Sequence, residues 1–200
     1  MDLFSPSGIS VFQVLGGEIS LDESFLAKSE AEELYFQLLN ETPWRQESVV
    51  IWGKSRPQPR LVSWYGDRAY TYSGLRLEPL PWTSALDGIR QRVEASVGGH
   101  FNSVLLNYYR DGYDRMGAHS DDEPELGVNP TIASVSLGAA RRIRFIPKRK
   151  LAGERAFSLN LESGTLLVMK GALQRNWLHE IPKEVQARGR INLTFRMIRS

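Results

Sequence analysis

Three histidines occur in this 200-residue chain, and one of them stands two positions before an aspartate, in His119-Ser120-Asp121. On an extended strand that spacing projects an imidazole and a carboxylate to the same side. His179 follows fifty-eight residues after Asp121, in the segment RNWLHEIP, and can bring a second imidazole from a distant strand. Two histidines and one carboxylate make the facial triad that holds non-haem Fe(II), with coordination positions left open for a co-substrate and oxygen. By itself an His-x-Asp tripeptide often means only a turn aspartate beside a surface histidine.

The C-terminal segment GRINLTFRMIRS gives the tripeptide its weight. In an extended strand Arg190, Asn192 and Arg196 share one face, and Leu193 and Phe195 the other. Guanidinium groups turned into a sheet need an anion to pair with, and 2-oxoglutarate carries two carboxylates. A solvated edge strand would also tolerate the arginines, but a metal triad upstream makes the inward reading the stronger one.

Composition fits one globular domain with a continuous core, at 42% apolar and 24% charged residues. The absence of cysteine excludes disulfides, thiolate zinc sites and iron–sulfur clusters, so a metal must be held by imidazole and carboxylate. There is no apolar run long enough to cross a bilayer, and MDLFSPSGIS lacks the pattern of a signal peptide. The chain is therefore expected to be intracellular (cytoplasmic, or nuclear in a eukaryote), away from membranes, and monomeric. A net charge of +2 does not by itself point to nucleic acid. The local basic run of Arg141, Arg142, Arg144, Lys148, Arg149 and Lys150 reads either as a solvated strand and turn or as a track for phosphates.

The elements that must carry these residues fall into two halves. Residues 1–20, rich in Gly and Ser, read as a flexible N-terminal arm, and residues 21–200 as a single domain. Ser29 with Glu32 forms a capping-box pattern ahead of Leu34, Leu38 and Leu39. Leu86, Ile89, Val93 and Val97 follow helical spacing up to Gly98-Gly99. From Ser103 the pattern turns to short β-rich runs at 103–109, 131–137, 143–146, 156–161, 165–169 and 191–198. Helices first and strands afterwards predict an α+β fold, with helices on the outer face of a β-sandwich or jelly roll. His100, after the glycine pair, reads as a loop histidine, and Trp44, Trp64 and Trp82 as packing aromatics.

Taken together, Asn107-Tyr108-Tyr109, His119 to Glu123, Ile132 to Gly138, His179 and Arg190 to Arg196 resemble the AlkB family in order and spacing. The stretch Pro59-Arg60-Leu61, Trp64 to Asp67 and Tyr70 to Ser73 is similar to that family's DNA- and RNA-repair members. The resemblance runs from about Val50 to Arg199. It implies a double-stranded β-helix core and an Fe(II)- and 2-oxoglutarate-dependent dioxygenase that uses O2 to dealkylate bases such as N1-methyladenine and N3-methylcytosine in DNA. It implies further that His119, Asp121 and His179 bind the iron, and that Asn107, Tyr109, Arg190, Asn192 and Arg196 hold 2-oxoglutarate. Tyr72 would stack on the flipped base, Tyr70 would line the same pocket, and Asp122 with Glu123 would face the lesion. Alkylated RNA, another hydroxylation substrate, or a non-catalytic nucleic-acid-binding role are the alternatives.

The segment Val49 to Lys54 reads as one arm of a hairpin near the substrate face, where Ile51 and Trp52 look like a wedge for the base stack. Trp52 packed in a core is the competing expectation. Lys54, Arg56 and Arg60 are expected to touch phosphates.

Overall fold

The computed structural model describes residues 8–51, 54–67, 70–72, 75–148 and 153–199. The chain opens with a hairpin, β1 (Ile9–Val14) and β2 (Gly17–Asp22), followed by helix α1 (Lys28–Glu41). Three small units come next: the hairpin β3 (Ser48–Ile51) and β4 (Lys54–Pro57), the strand β5 (Leu61–Gly66), and the pair β6 (Tyr70–Tyr72) and β7 (Leu75–Leu77). Helix α2 (Ser84–Val97) precedes the main run of strands, β8 (Ser103–Tyr109), β9 (Met116–His119), β10 (Ile132–Gly138), β11 (Arg141–Pro147), β12 (Phe157–Leu161) and β13 (Leu166–Gly171). A single helical turn, α3 (Leu173–Asn176), leads into β14 (Trp177–Ile181), and β15 (Arg190–Arg196) completes the sheet.

Two antiparallel sheets face one another. The larger has the order β1-β2-β13-β10-β15-β8-β5 and the smaller β12-β11-β14-β9. Strand alternation divides the buried side chains between two cores. Leu105, Leu167, Ile143, Phe145 and Trp177 fill the space between the sheets. Val104, Leu106, Val135, Leu193 and Phe195 point the other way, against Leu34 and Leu38 of α1 and Leu86, Ile89 and Val93 of α2. The helices therefore lie on the outer face of the larger sheet, as the order of elements predicts.

Local sequence accounts for most boundaries. Thr83 caps α2, its hydroxyl accepting from the Leu86 N–H at 3.2 Å, and Gly98 ends the helix in the left-handed region at φ 69°. The expected capping box at α1 does not form. That helix starts at Lys28, so Ser29 lies inside its first turn, and Ala27 at the cap position has no side-chain acceptor.

The larger correction concerns the first twenty residues, expected as a flexible arm. Within them β1 and β2 form a hairpin around Leu15-Gly16, with Gly16 at φ 76°. Strand β2 then joins the large sheet beside β13, with Ile19 opposite Met169. Ile19 and Leu21 belong to the core between the sheets, so the glycines there mark a tight turn rather than loose chain. Replacing Ile19 by Ala is therefore expected to lower stability by about 2–5 kcal/mol, as for other large-to-small changes in a packed core. Thermal unfolding reads this directly, since an arm without structure would leave the melting temperature unchanged.

Candidate metal and co-substrate site

Register brings the two imidazoles together. β14 runs antiparallel to β9 with His179 directly opposite His119, and their ring centroids are 4.3 Å apart. Asp121 lies two residues past the end of β9. One potential ligand atom from each of His119, Asp121 and His179 falls within 4.8 Å of the others. The sequence spacing thus converges as expected, although His119 closes its strand and Asp121 follows in the loop.

Each group is held in the form a divalent metal requires. His119 Nδ1 lies 2.9 Å from the Gly117 carbonyl, which can only accept, so the proton sits on Nδ1 and Nε2 keeps its lone pair. Burial lowers the His119 pKa, with Asp121 opposing the change. For His179, burial and then the neighbouring His119 push the value down to about 3. At Asp121 burial opposes ionisation, but Arg196, His179 and His119 outweigh it and hold the carboxyl at about 2. The Arg196 guanidinium donates through Nη2 to Asp121 Oδ1 at 2.7 Å. Asp121 Oδ2 is buried without a hydrogen-bond partner and lies 4.0 Å from His179 Nε2. An ionised carboxylate oxygen with no donor beside two neutral imidazoles is a donor set suited to Fe(II).

A cavity opens from this cluster between the two sheets. Leu105, Ile143, Leu167 and Met169 give it apolar walls, and the inward face of β15 gives it Arg190, Asn192, Thr194 and Arg196. Arg190 is only 1% exposed. Its Nη2 donates to Ser136 Oγ at 2.9 Å and Asn192 Oδ1 at 2.8 Å, whereas Nε and Nη1 have no hydrogen-bond partner. Burial pulls the Arg190 pKa down to about 10, against the favourable influence of the Tyr109 phenol. A buried cation with spare N–H groups facing a cavity calls for a carboxylate, and a dicarboxylate fits that need.

Around this arginine the expected residues take distinct positions. Tyr109 carries the guanidinium groups of Arg190 and Arg141 at 5.4 and 5.5 Å from its ring centroid. Asn192 is engaged with Arg190, with Ser134, whose hydroxyl donates to Oδ1, and with Thr194, which accepts from Nδ2. Asn107 Oδ1 accepts from Arg60 Nε at 2.7 Å. Arg60, expected at a phosphate, is buried instead, because it meets the inward face of β8 rather than the surface.

Other expected residues lie elsewhere. Asp122 is exposed, receives a hydrogen bond from Lys148 Nζ at 2.8 Å and lines a separate surface recess. Glu123 stands ahead of the 3-10 turn Pro124–Leu126. Tyr70 and Tyr72 are on β6, their side chains outside the described part of the structure. Ile51 ends β3, and Trp52 lies outside the described residues. His100 is 90% exposed and Trp64 is buried, in line with a loop histidine and a packing aromatic.

Arg141 is the residue the basic run concealed. Its side chain has no exposed surface, and its Nη atoms donate to the carbonyls of Asp111, Asp114 and Pro182 at 3.3, 2.9 and 2.6 Å. Glu184 lies 3.5 Å from Nε. The outward neighbours Arg142 and Arg144 are paired with Glu184 and Glu180, so these two cations are already partly neutralised on the surface. Alternation along β11 would have found Arg141, which shares its face with Ile143 and Phe145.

Comparison with known proteins agrees with this geometry. The model of the 2OG-Fe(II) oxygenase superfamily matches residues 19–196. The chain is 40% identical to the alpha-ketoglutarate-dependent dioxygenase alkB homolog 3 of Mus musculus, over 97% of this chain and 68% of that protein. It belongs to the AlkB family of 2OG-Fe(II) oxygenases. Similarity to the human DNA oxidative demethylase ALKBH2 is 41%, over 86% of this chain and 70% of that one. The solved structure of OsALKBH1 superposes with a TM-score of 0.65 at 15% identity, covering 94% of this chain and 100% of that chain. A Trichoplax adhaerens prolyl hydroxylase gives 0.61 at 14% identity, covering 89% and 83% respectively. At those identities the structures establish the jelly-roll fold alone. This AlkB-family chain is an Fe(II)- and 2-oxoglutarate-dependent dioxygenase. No helix among the described residues is long and apolar enough to cross a membrane.

Two pH effects follow from the site. The folded His179 takes up a proton only near pH 3, whereas the unfolded side chain does so near 6.5. Between those values the unfolded state binds the extra proton, so the metal-free protein loses stability as pH falls through that window. Its melting temperature should drop on acidification from pH 7 to 4, and His179→Phe should flatten that slope. Proton competition for metal should also be weak at His179, so in a Co(II) titration the site is expected to lose less affinity between pH 7 and pH 5 than the roughly 30-fold that one ordinary imidazole would lose.

Proposed function

We propose that this dioxygenase oxidatively removes alkyl groups from damaged bases in DNA, N1-methyladenine and N3-methylcytosine being the type substrates. In this reading His119, Asp121 and His179 hold Fe(II), and Arg190 with Tyr109 holds the far carboxylate of 2-oxoglutarate. The observation that carries it is the convergence of two neutral histidines and an ionised aspartate on one cavity with a buried, incompletely paired arginine. The base substrate is supported by the near-40% identity to proteins named as DNA oxidative demethylases.

Bound together, Fe(II), 2-oxoglutarate and O2 supply the oxidising power to hydroxylate the alkyl carbon, which is then released as an aldehyde while the base is restored. The protein's part is positioning. The Gly117 carbonyl fixes the tautomer of His119, and Arg196 keeps Asp121 ionised and correctly turned. Leu105, Ile143, Leu167 and Met169 keep water from the space between the carboxylate anchor and the metal.

Substrate recognition is assigned to Tyr72 and Tyr70 on β6, with Trp52 as a wedge for the base stack. N1-methyladenine and N3-methylcytosine are cations at neutral pH, so an aromatic face and carboxylates favour them over the undamaged bases. Because Asp122 already meets Lys148, its share of that discrimination is smaller than its charge suggests.

The deciding experiment compares formaldehyde and succinate release on single-stranded DNA, duplex DNA and RNA carrying the same N3-methylcytosine, with unmodified strands as controls. Formaldehyde in step with succinate on methylated DNA is expected. Turnover on RNA alone would move the substrate to RNA, and succinate without formaldehyde on any strand would defeat the dealkylation reading.

Single variants test the residue roles. His119→Ala, Asp121→Ala and His179→Ala should each abolish 2-oxoglutarate turnover. Arg190→Ala should raise the KM for 2-oxoglutarate by about 10- to 100-fold, the worth of a charge-assisted pair. Tyr72→Ala should reduce demethylation more than uncoupled 2-oxoglutarate turnover, since stacking contributes about 1–3 kcal/mol per base and leaves the metal untouched. Trp52→Ala should impair duplex substrates selectively, because a single strand presents no gap to fill.

A further inference from the structure

Gln174 lies on α3, the one helical turn between β13 and β14, and is 2% exposed. A buried primary amide must find its partners within the protein. Its Oε1 accepts from the backbone N–H of Asp121 at 3.0 Å, and its Nε2 lies 3.5 Å from Met169 Sδ. The orientation of the amide is fixed by chemistry, since only the oxygen can receive the Asp121 N–H, and the thioether is a weak acceptor for the NH2 group.

Asp121 needs such a partner. It stands beyond the last residue of β9, so no strand ladder sets its backbone. Arg196 grips the carboxylate at Oδ1, and Gln174 grips the peptide N–H. The side chain that does so lies five residues ahead of His179 on the segment that delivers it. One amide thus ties the loop carrying the carboxylate to the element carrying the second imidazole, across fifty-three residues of sequence.

We infer that Gln174 is a positioning residue of the metal centre, holding the Asp121 backbone at a fixed distance from His179. The inference rests on the proposed ligand set. Partners that orient metal ligands typically change affinity by about 10- to 100-fold when removed, even though they touch no metal.

The test is anaerobic Co(II) titration of the full, metal-free chain, followed by visible absorption, with the melting temperature of each variant measured without metal. Gln174→Met keeps the length and removes the acceptor, and Gln174→Glu keeps an acceptor oxygen at the same reach. We expect Gln174→Met to bind Co(II) about 10- to 100-fold more weakly with an altered spectrum, and Gln174→Glu to recover most of the affinity. Should Gln174→Met not fold, Gln174→Asn, one methylene too short to reach, takes its place with the same expectation. Wild-type affinity and spectrum in Gln174→Met or its substitute would overturn the inference. Equal losses in the Met and Glu variants, in step with melting temperature, would overturn it too by marking a packing role. His119→Ala in parallel separates the two claims: wild-type Co(II) binding there would sink the ligand set itself, whereas lost binding there with intact binding in Gln174→Met sinks only the positioning role.

Discussion

A carboxylate with no access to water stays ionised only if the protein supplies the charge that water would have supplied. Asp121 is such a group, and its contact with Arg196 is the interaction on which the site depends. Without the guanidinium, burial would favour the neutral acid, a poor metal ligand, and the two imidazoles would lose their negative neighbour. The arginine comes from β15, a central strand of the large sheet, while the aspartate comes from a loop beyond the small sheet. The pair therefore spans the two layers of the sandwich as well as completing the site.

Strand β15 can do this because it serves two masters on alternate residues. Ile191, Leu193 and Phe195 complete the core beneath the helices, and Arg190, Asn192, Thr194 and Arg196 form a polar row in the cavity. The neighbours continue that row: Ser134 and Ser136 on β10, Asn107 and Tyr109 on β8. A polar row in the middle of a sandwich would ordinarily be a defect, since each group loses water on burial. Here the groups satisfy one another along the register, Ser134 and Arg190 converging on Asn192 and Arg60 on Asn107, while Nε and Nη1 of Arg190 keep N–H capacity to spare. Polar satisfaction within the row thus offsets part of the cost of burial and leaves spare donors on a buried cation of the cavity lining.

How much of this is legible in the sequence depends on whether a residue's role follows from period or from a partner. Alternation in GRINLTFR is enough to assign both faces of β15, and helical spacing from Leu86 to Val97 assigns the buried face of α2. Period also held the answer for Arg141, but its neighbours Arg142 and Arg144 make the whole run look like surface. For the N-terminal hairpin the glycines in Leu15-Gly16-Gly17 suggested looseness, although a glycine pair between apolar runs is equally a turn signal. Gln174 and Arg60 carry no periodic signal at all. Their roles are set by Asp121 and Asn107, 53 and 47 residues away, and only the fold brings them together.

Charge in the cavity also bears on the order in which ligands can enter. Arg190 and Arg196 line it and Arg60 approaches it through Asn107, against the single ionised carboxylate of Asp121. Divalent metal adds to that positive excess. On the proposed function the base to be repaired is itself a cation, and in a site of low dielectric like charges repel strongly. The dianionic co-substrate is the one component that lowers that excess, and on the same proposal its far carboxylate would meet Arg190. With the excess lowered, the cationic base meets less repulsion, so binding of 2-oxoglutarate before the damaged base is the order that electrostatics favours.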